Sequence, residues 1–174
     1  MALTALIGVL LFDPLPGLRL AVAMSLILFI GAASRRHVAV LGRLPGTRLY
    51  ADTAQHPDAA TVAGVLAVRP DGSLFFGNAN RVRLAVRDLV AQNAPPPHAV
   101  VLDLTSSYQL GVPVLDTLDE LRTELAGRSI DLYLAHVRAR AERDLSRHAL
   151  AQSIGPHGLH PTVDSAVSAA GGPA

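Results

Sequence analysis

The first 34 residues are apolar almost throughout; from residue 35 onward apolar and polar positions alternate with short periods. Residues 2–12, ALTALIGVLLF, form the first apolar run. DPLPG at residues 13–17 interrupts it, because two prolines and a glycine remove donors and favour a turn. A second run, LRLAVAMSLILFIGAAS at residues 18–34, carries Arg19 as its one charge. Crossing a bilayer takes about 20 helical residues at 1.5 Å each. The first run is too short, and the second suffices only if Arg19 reaches back to the interface. The pattern predicts a membrane hairpin over residues 1–34: the end of one helix, a tight turn and a final transmembrane helix. A signal peptide would need a basic start and an earlier, uninterrupted core. A buried helical hairpin of a water-soluble protein also fits short apolar runs. The preferred reading is a spanning helix that belongs to a longer bundle.

Arg35 and Arg36 mark the membrane boundary, and Arg43 and Arg48 follow closely. No basic residue precedes Arg19. This asymmetry predicts an inner or plasma membrane location with the rest of the chain in the cytoplasm.

Residues 35–47 read as a linker that ends in the turn-forming cluster GRLPGT. Residues 48–170 read as one α/β domain, and 171–174 as a tail. VAGVLAVR at 62–69 predicts a strand, PDGS a turn, and Leu74 to Phe76 a second strand paired with the first in a hairpin. Asn78 or Asn80 is the expected cap of a helix whose stripe is Val82, Val86, Leu89 and Val90. Pro95, Pro96 and Pro97 end it. HAVVLDL at 98–104 reads as a buried central strand. A second helix is expected over 113–126, a strand over 130–137, a third helix over 139–150 and a short fourth over 162–170, capped by Thr162. This order predicts a small sheet covered by about four helices, mainly on one face.

Composition removes several functions. Net charge is +1, so nothing argues for a nucleic-acid partner. There is no cysteine, which excludes disulfides and Cys-based metal sites. All basic residues are Arg, so no P-loop lysine exists. His157 and His160, with Asp164 near, make a poor metal set. No cofactor is expected, and no spacing supports an enzyme. Asp103 is expected to end its strand and bond loop amides; His136 is expected at the core edge. Arg138, Arg140, Arg143 and Arg147 suggest either a solvated face balanced by Glu142 and Asp144 or a surface toward anionic lipid.

The stretch SRRHVAVLGRLPGTRLY at 34–50 resembles the junction of SulP-family anion transporters, where the last membrane helix passes into a cytoplasmic STAS domain. LFFGNAN at 74–80 looks like that family's strand-to-helix signature, and VVLDL at 100–104 is similar to its central strand. The resemblance implies a STAS-like mixed sheet. It implies a regulatory and assembly role beside an anion transporter of the sulfate kind, with transport located in upstream helices that this sequence lacks. Implied partners are the lipid bilayer, the remainder of a transporter bundle or a second subunit, and a regulatory protein. Stand-alone STAS proteins of the anti-sigma factor antagonist type carry a phosphorylated serine after the central strand. By counting, that position falls on Val112 and the preceding acidic residue on Gly111, followed by Pro113. No hydroxyl remains there. Thr105, Ser106, Ser107 and Tyr108, just upstream, form the candidate regulatory loop and offer substitute hydroxyls, with a plain solvated loop as the preferred reading. A membrane-tethered signalling module of the antagonist type is the alternative reading.

Overall fold

The computed structural model describes residues 14–33 and 38–171, and it divides into two compact units, one up to Arg36 and one from His37. In the first unit α1 spans Pro14–Ala33. The turn expected at 13–17 is therefore helix from Pro14 on. Proline is tolerated in a first turn, where backbone N–H groups have no intrahelical acceptor anyway. Residues 2–12, the other leg of the expected hairpin, lie outside the described residues, as do Arg35 and Arg36. Among the described residues no helix is long and apolar enough to cross a membrane. After Arg19 the apolar stretch of α1 covers residues 20–33, about 21 Å, against a hydrocarbon core of about 30 Å.

The second unit is built on a six-stranded sheet. Its elements are β1 (Val38–Arg43), β2 (Tyr50–Asp52), β3 (Val65–Pro70), α2 (Ala79–Gln92), β4 (Ala99–Asp103), α3 (Val112–Ala126), β5 (Asp131–Ala135), α4 (Ala139–Ser146), α5 (Ala149–Ile154), β6 (Leu159–His160) and α6 (Val163–Ala169). Strand order is β2-β1-β3-β4-β5-β6. β1 runs antiparallel to β2 and β3; β3 to β6 are parallel.

Two expectations change here. Residues 38–43, read as linker, are β1, because alternate apolar residues of VAVLGR pair with β3 from Val38↔Pro70 to Val40↔Val68. The hairpin expected between 62–69 and Leu74–Phe76 is absent. Both edges of β3 are taken, by β1 and β4, so no edge is left for a hairpin partner. Residues 74 and 75 have no regular structure and residues 76–78 form the turn into α2 instead.

Strand residues alternate between two cores, as a period of two requires. Leu66, Val68, Val100, Leu102, Leu132 and Leu134 face α2, α3, α4 and α5. Val65, Ala67, Ala99, Val101 and Ala135 face α6, through Val163, Ala166 and Val167. Helices thus cover both faces, unequally. The third helix expected over 139–150 is two helices. It breaks at Arg147–His148, where His148 Nδ1 accepts the Leu150 N–H at 3.1 Å and starts α5. Thr162 caps α6 in a reciprocal box with Ser165.

Candidate functional site at the C-terminal end of the parallel strands

Parallel α/β sheets concentrate binding groups where strands end and loops begin. Here that end is organised by Asp103, the last residue of β4 and fully buried. The register Val68↔Leu102 makes Arg69 its neighbour on the same sheet face. Arg69 Nε donates to Asp103 Oδ2 at 2.6 Å. Oδ1 accepts from the Thr105 N–H at 3.0 Å and from the Thr105 hydroxyl at 2.6 Å, and meets His136 Nδ1 at 2.9 Å. Burial alone would raise the Asp103 pKa. The bonds from the Thr105 hydroxyl, Arg69, the Thr105 amide and His136 outweigh it and hold the carboxyl below the usual carboxylate range. His136 adopts φ +55°, a left-handed conformation that turns the chain out of β5, and its N–H donates to His160 O at 3.1 Å.

The expectation that Asp103 bonds a loop amide is met by Thr105. The ion pair with Arg69 and the contact with His136 were not foreseen. A charged residue at the C-terminal end of an apolar run, in VLAVR as in VVLD, is the signal that pairs them.

The loops above Asp103 are tied together. The LFFGNAN turn is internally bonded: Asn78 Oδ1 accepts the Phe75 N–H at 2.8 Å and Asn78 Nδ2 donates to Ser73 O at 3.0 Å. Asn78 stands at the N-cap position of α2, but its side chain holds this turn rather than a helix amide. A Cβ on Gly77 would lie 2.6 Å from the Phe75 ring, so any larger residue there would push that ring aside. Ser107 is buried, and its hydroxyl accepts the Leu74 N–H at 3.0 Å, which joins this turn to the β4–α3 loop. Ser107 thus joins the two loops, with its hydroxyl buried and engaged by a backbone amide. Thr105 and Ser106 are exposed, as is Tyr108. Arg138 Nε donates to Thr105 O at 3.3 Å and links the loop after β5.

Gly111 stands at the N-cap of α3, Val112 is the first helical residue and Pro113 the second. Val112 is 64 % exposed. The position counted as the phosphoacceptor thus lies on an open helix N-terminus with an isopropyl group in place of a hydroxyl. Val112 also borders an open cavity of about 370 Å³, with Gln109, Leu110, Arg140, Arg147 and His148. His160 Nε2 contacts the His157 carbonyl at 2.9 Å, and Asp164 lies 4.0 Å from Arg43. No group of three metal-ligating side chains converges among the described residues.

Residues 56–166 match the STAS domain family. The chain belongs to that family. A probable sulfate transporter of Mycobacterium tuberculosis is 32% identical over 153 residues, 88% of this chain and 27% of that protein. Low affinity sulfate transporter 3 of Stylosanthes hamata is 32% identical over 177 residues, 96% of this chain and 28% of its own. The chain thus spans just over a quarter of the length of these curated relatives. The fold is similar to a murine Solute Carrier 26 member A9 anion transporter (TM-score 0.79, 19% identity, 97% of this chain and 28% of that one). It is similar also to a SulP transporter STAS domain from Vibrio cholerae (0.54, 20%, 67% and 88%). An anti-sigma factor antagonist from Mycobacterium paratuberculosis shares it as well (0.53, 22%, 77% and 94%). In this STAS domain the ionic centre at Asp103 orders the loops; the outward-facing groups are Phe75, Phe76, Tyr108, Val112 and the arginines beyond them.

Proposed function

We propose that this chain is the cytoplasmic regulatory and assembly module of a SulP-type transporter for an inorganic anion of the sulfate kind. The observation that carries the reading is the similarity to sulfate transporters across 88–96% of the chain, which takes in the apolar segment as well as the STAS domain. The apolar segment seats in the bilayer beside the remainder of a transporter bundle or a second subunit. α1 supports this: Leu18, Leu20, Val22, Leu26 and Ile27 are all exposed, and a helix apolar on every side needs lipid or other helices around it. By itself α1 is short for a bilayer, which is the reason to expect neighbours.

The module has no site for the anion in this reading and carries none across a membrane alone. The signalling alternative has the fold similarity to an anti-sigma factor antagonist in its favour. Val112 counts against it, since a phosphorylation switch at that position needs a hydroxyl.

The test is co-expression with the membrane bundle of a SulP-type transporter whose own STAS domain is deleted. Co-elution in detergent and a changed rate of sulfate uptake are expected. Separate elution with unchanged uptake contradicts the reading. Proteoliposomes holding this chain alone are expected to take up sulfate no faster than empty ones. A reporter active only in the periplasm, fused after Ala174, is expected to stay silent.

A further inference from the structure

The end of the sheet that carries Asp103 also receives the chain. Val38 pairs with Pro70, so β1 begins where β3, β4 and β5 end. Arg35 and Arg36 immediately precede this entry point in sequence. The same end presents Phe75, Phe76, Tyr108 and Val112, exposed by 44, 81, 63 and 64 %. The two phenyl rings stand edge to face, with centroids 5.7 Å apart. They have no polar handle, and an exposed pair of touching rings beside Tyr108 and Val112 is the kind of apolar patch that marks an interaction surface. The Leu74–Ser107 and Arg138–Thr105 hydrogen bonds and the cavity shared by Val112, Arg140 and Arg147 place the aromatic loops beside a basic rim. Arg138, Arg140, Arg143 and Arg147 are exposed, and none has a carboxylate within ion-pair distance among the described residues. Of the acidic groups on these elements, Asp103 is paired with Arg69, Asp144 accepts the Leu110 N–H and Asp116 meets His148. Asp71 and Glu142 are exposed, and Asp144 lines the same cavity as Arg140 and Arg147; along residues 138–147 four arginines stand against the two carboxylates Glu142 and Asp144.

We propose that this end of the STAS domain is a lipid-facing surface: Phe75, Phe76 and Tyr108 enter the interface of an anionic leaflet while Arg138, Arg140 and Arg147 meet its phosphates. Apolar rings rimmed by guanidinium groups suit that boundary, where one side is acyl chain and the other headgroup. The inference rests on the membrane-seated reading above and adds a second contact to it, one made by the folded domain. It gives the module a way to sense leaflet charge.

The chain has no tryptophan, so Phe76→Trp supplies a unique fluorophore at a well-exposed position. The full chain is reconstituted in vesicles of phosphatidylcholine, with or without 30% phosphatidylglycerol (roughly the range in which polybasic surfaces discriminate), and brominated lipid is the quencher. Leu26→Trp, in α1, reports seating of the apolar segment. Quenching of both probes is expected in anionic vesicles, with Phe76→Trp quenched weakly in neutral ones. Arg140→Glu with Arg147→Glu is expected to reduce the lipid-engaged population by roughly 25-fold, about fivefold per arginine. Tyr108→Trp repeats the measurement from the neighbouring loop should Phe76→Trp disturb the fold. A quenched Leu26 probe with solvent-like probes at positions 76 and 108 overturns the inference and leaves the membrane-seated reading intact. If no probe is quenched, that reading fails and the inference with it. Shielding of the position-76 probe in detergent without lipid, or equally in neutral vesicles, assigns the patch to a second copy or another protein and also overturns the inference.

Discussion

β4 and α1 are built from similar material and meet opposite fates. Ala99, Val100, Val101 and Leu102 of β4 are at most 1 % exposed, whereas Leu18, Leu20, Val22 and Ile27 of α1 are about three-fifths exposed. Apolarity alone does not decide burial; length, period and neighbours do. β4 is five residues long, β-branched, and flanked on both edges by parallel strands and on both faces by helices. α1 is apolar on every side, so no single face directs it onto a core. One run is satisfied inside its own domain; the other requires cover from elsewhere.

The largest effect should come from cutting into β4. Leu102→Ala is expected to cost about 2–5 kcal/mol, because a fully buried leucine leaves a cavity that rigid neighbours cannot fill. Leu26→Ala is expected to leave unfolding of the STAS domain within roughly 0.5 kcal/mol, as a substitution outside its core. Denaturation followed by far-ultraviolet circular dichroism, in the same detergent, checks both. Equal losses would erase the contrast between the two runs.

Next in size is the charge that closes β4. Asp103→Asn leaves the Arg69 guanidinium without its counter-charge. The expected loss is about 2–3 kcal/mol, below the ~3–5 of a fully buried pair because Arg69 is one-third exposed. The pH dependence follows from the direction of the shift. Because the folded carboxyl titrates below the unfolded one, its stabilisation is complete above about pH 4 and is lost as pH falls toward the folded pKa. Wild-type stability should therefore drop more steeply than that of Asp103→Asn below about pH 4. Parallel acid limbs would remove Asp103 from the account.

Much of the domain was legible because its signals are local. The run VVLD, the stripes of α2 and α3, and the Thr162 cap each declare themselves within a few residues. What was missed depends on distant partners. Residues 38–43 looked like a linker because the strand they pair with lies some 30 residues on. Leu74–Phe76 looked like a strand because its apolar content says nothing of whether an edge of β3 is free. Ser107 looked like a loop hydroxyl; only the Leu74 amide, 33 residues away, shows it to be a buried joint. The break at His148 turns on a ring nitrogen accepting an amide, a use of histidine that composition does not reveal.

Smaller effects sharpen the picture at helix ends. Thr162→Ala removes the reciprocal box of α6 and should cost about 1 kcal/mol by thermal unfolding. Val112→Ser should change stability by less than roughly 0.5 kcal/mol, because Val112 is exposed at the first residue of α3. A large loss at Val112 would mean that this position is held in the fold rather than left open at the surface.

The most direct test of the central claim, a STAS module seated in a membrane beside a transporter bundle, is alkaline carbonate extraction of membranes from cells that make the chain. The chain is expected to stay in the membrane pellet. Complete recovery in the carbonate supernatant would contradict that claim.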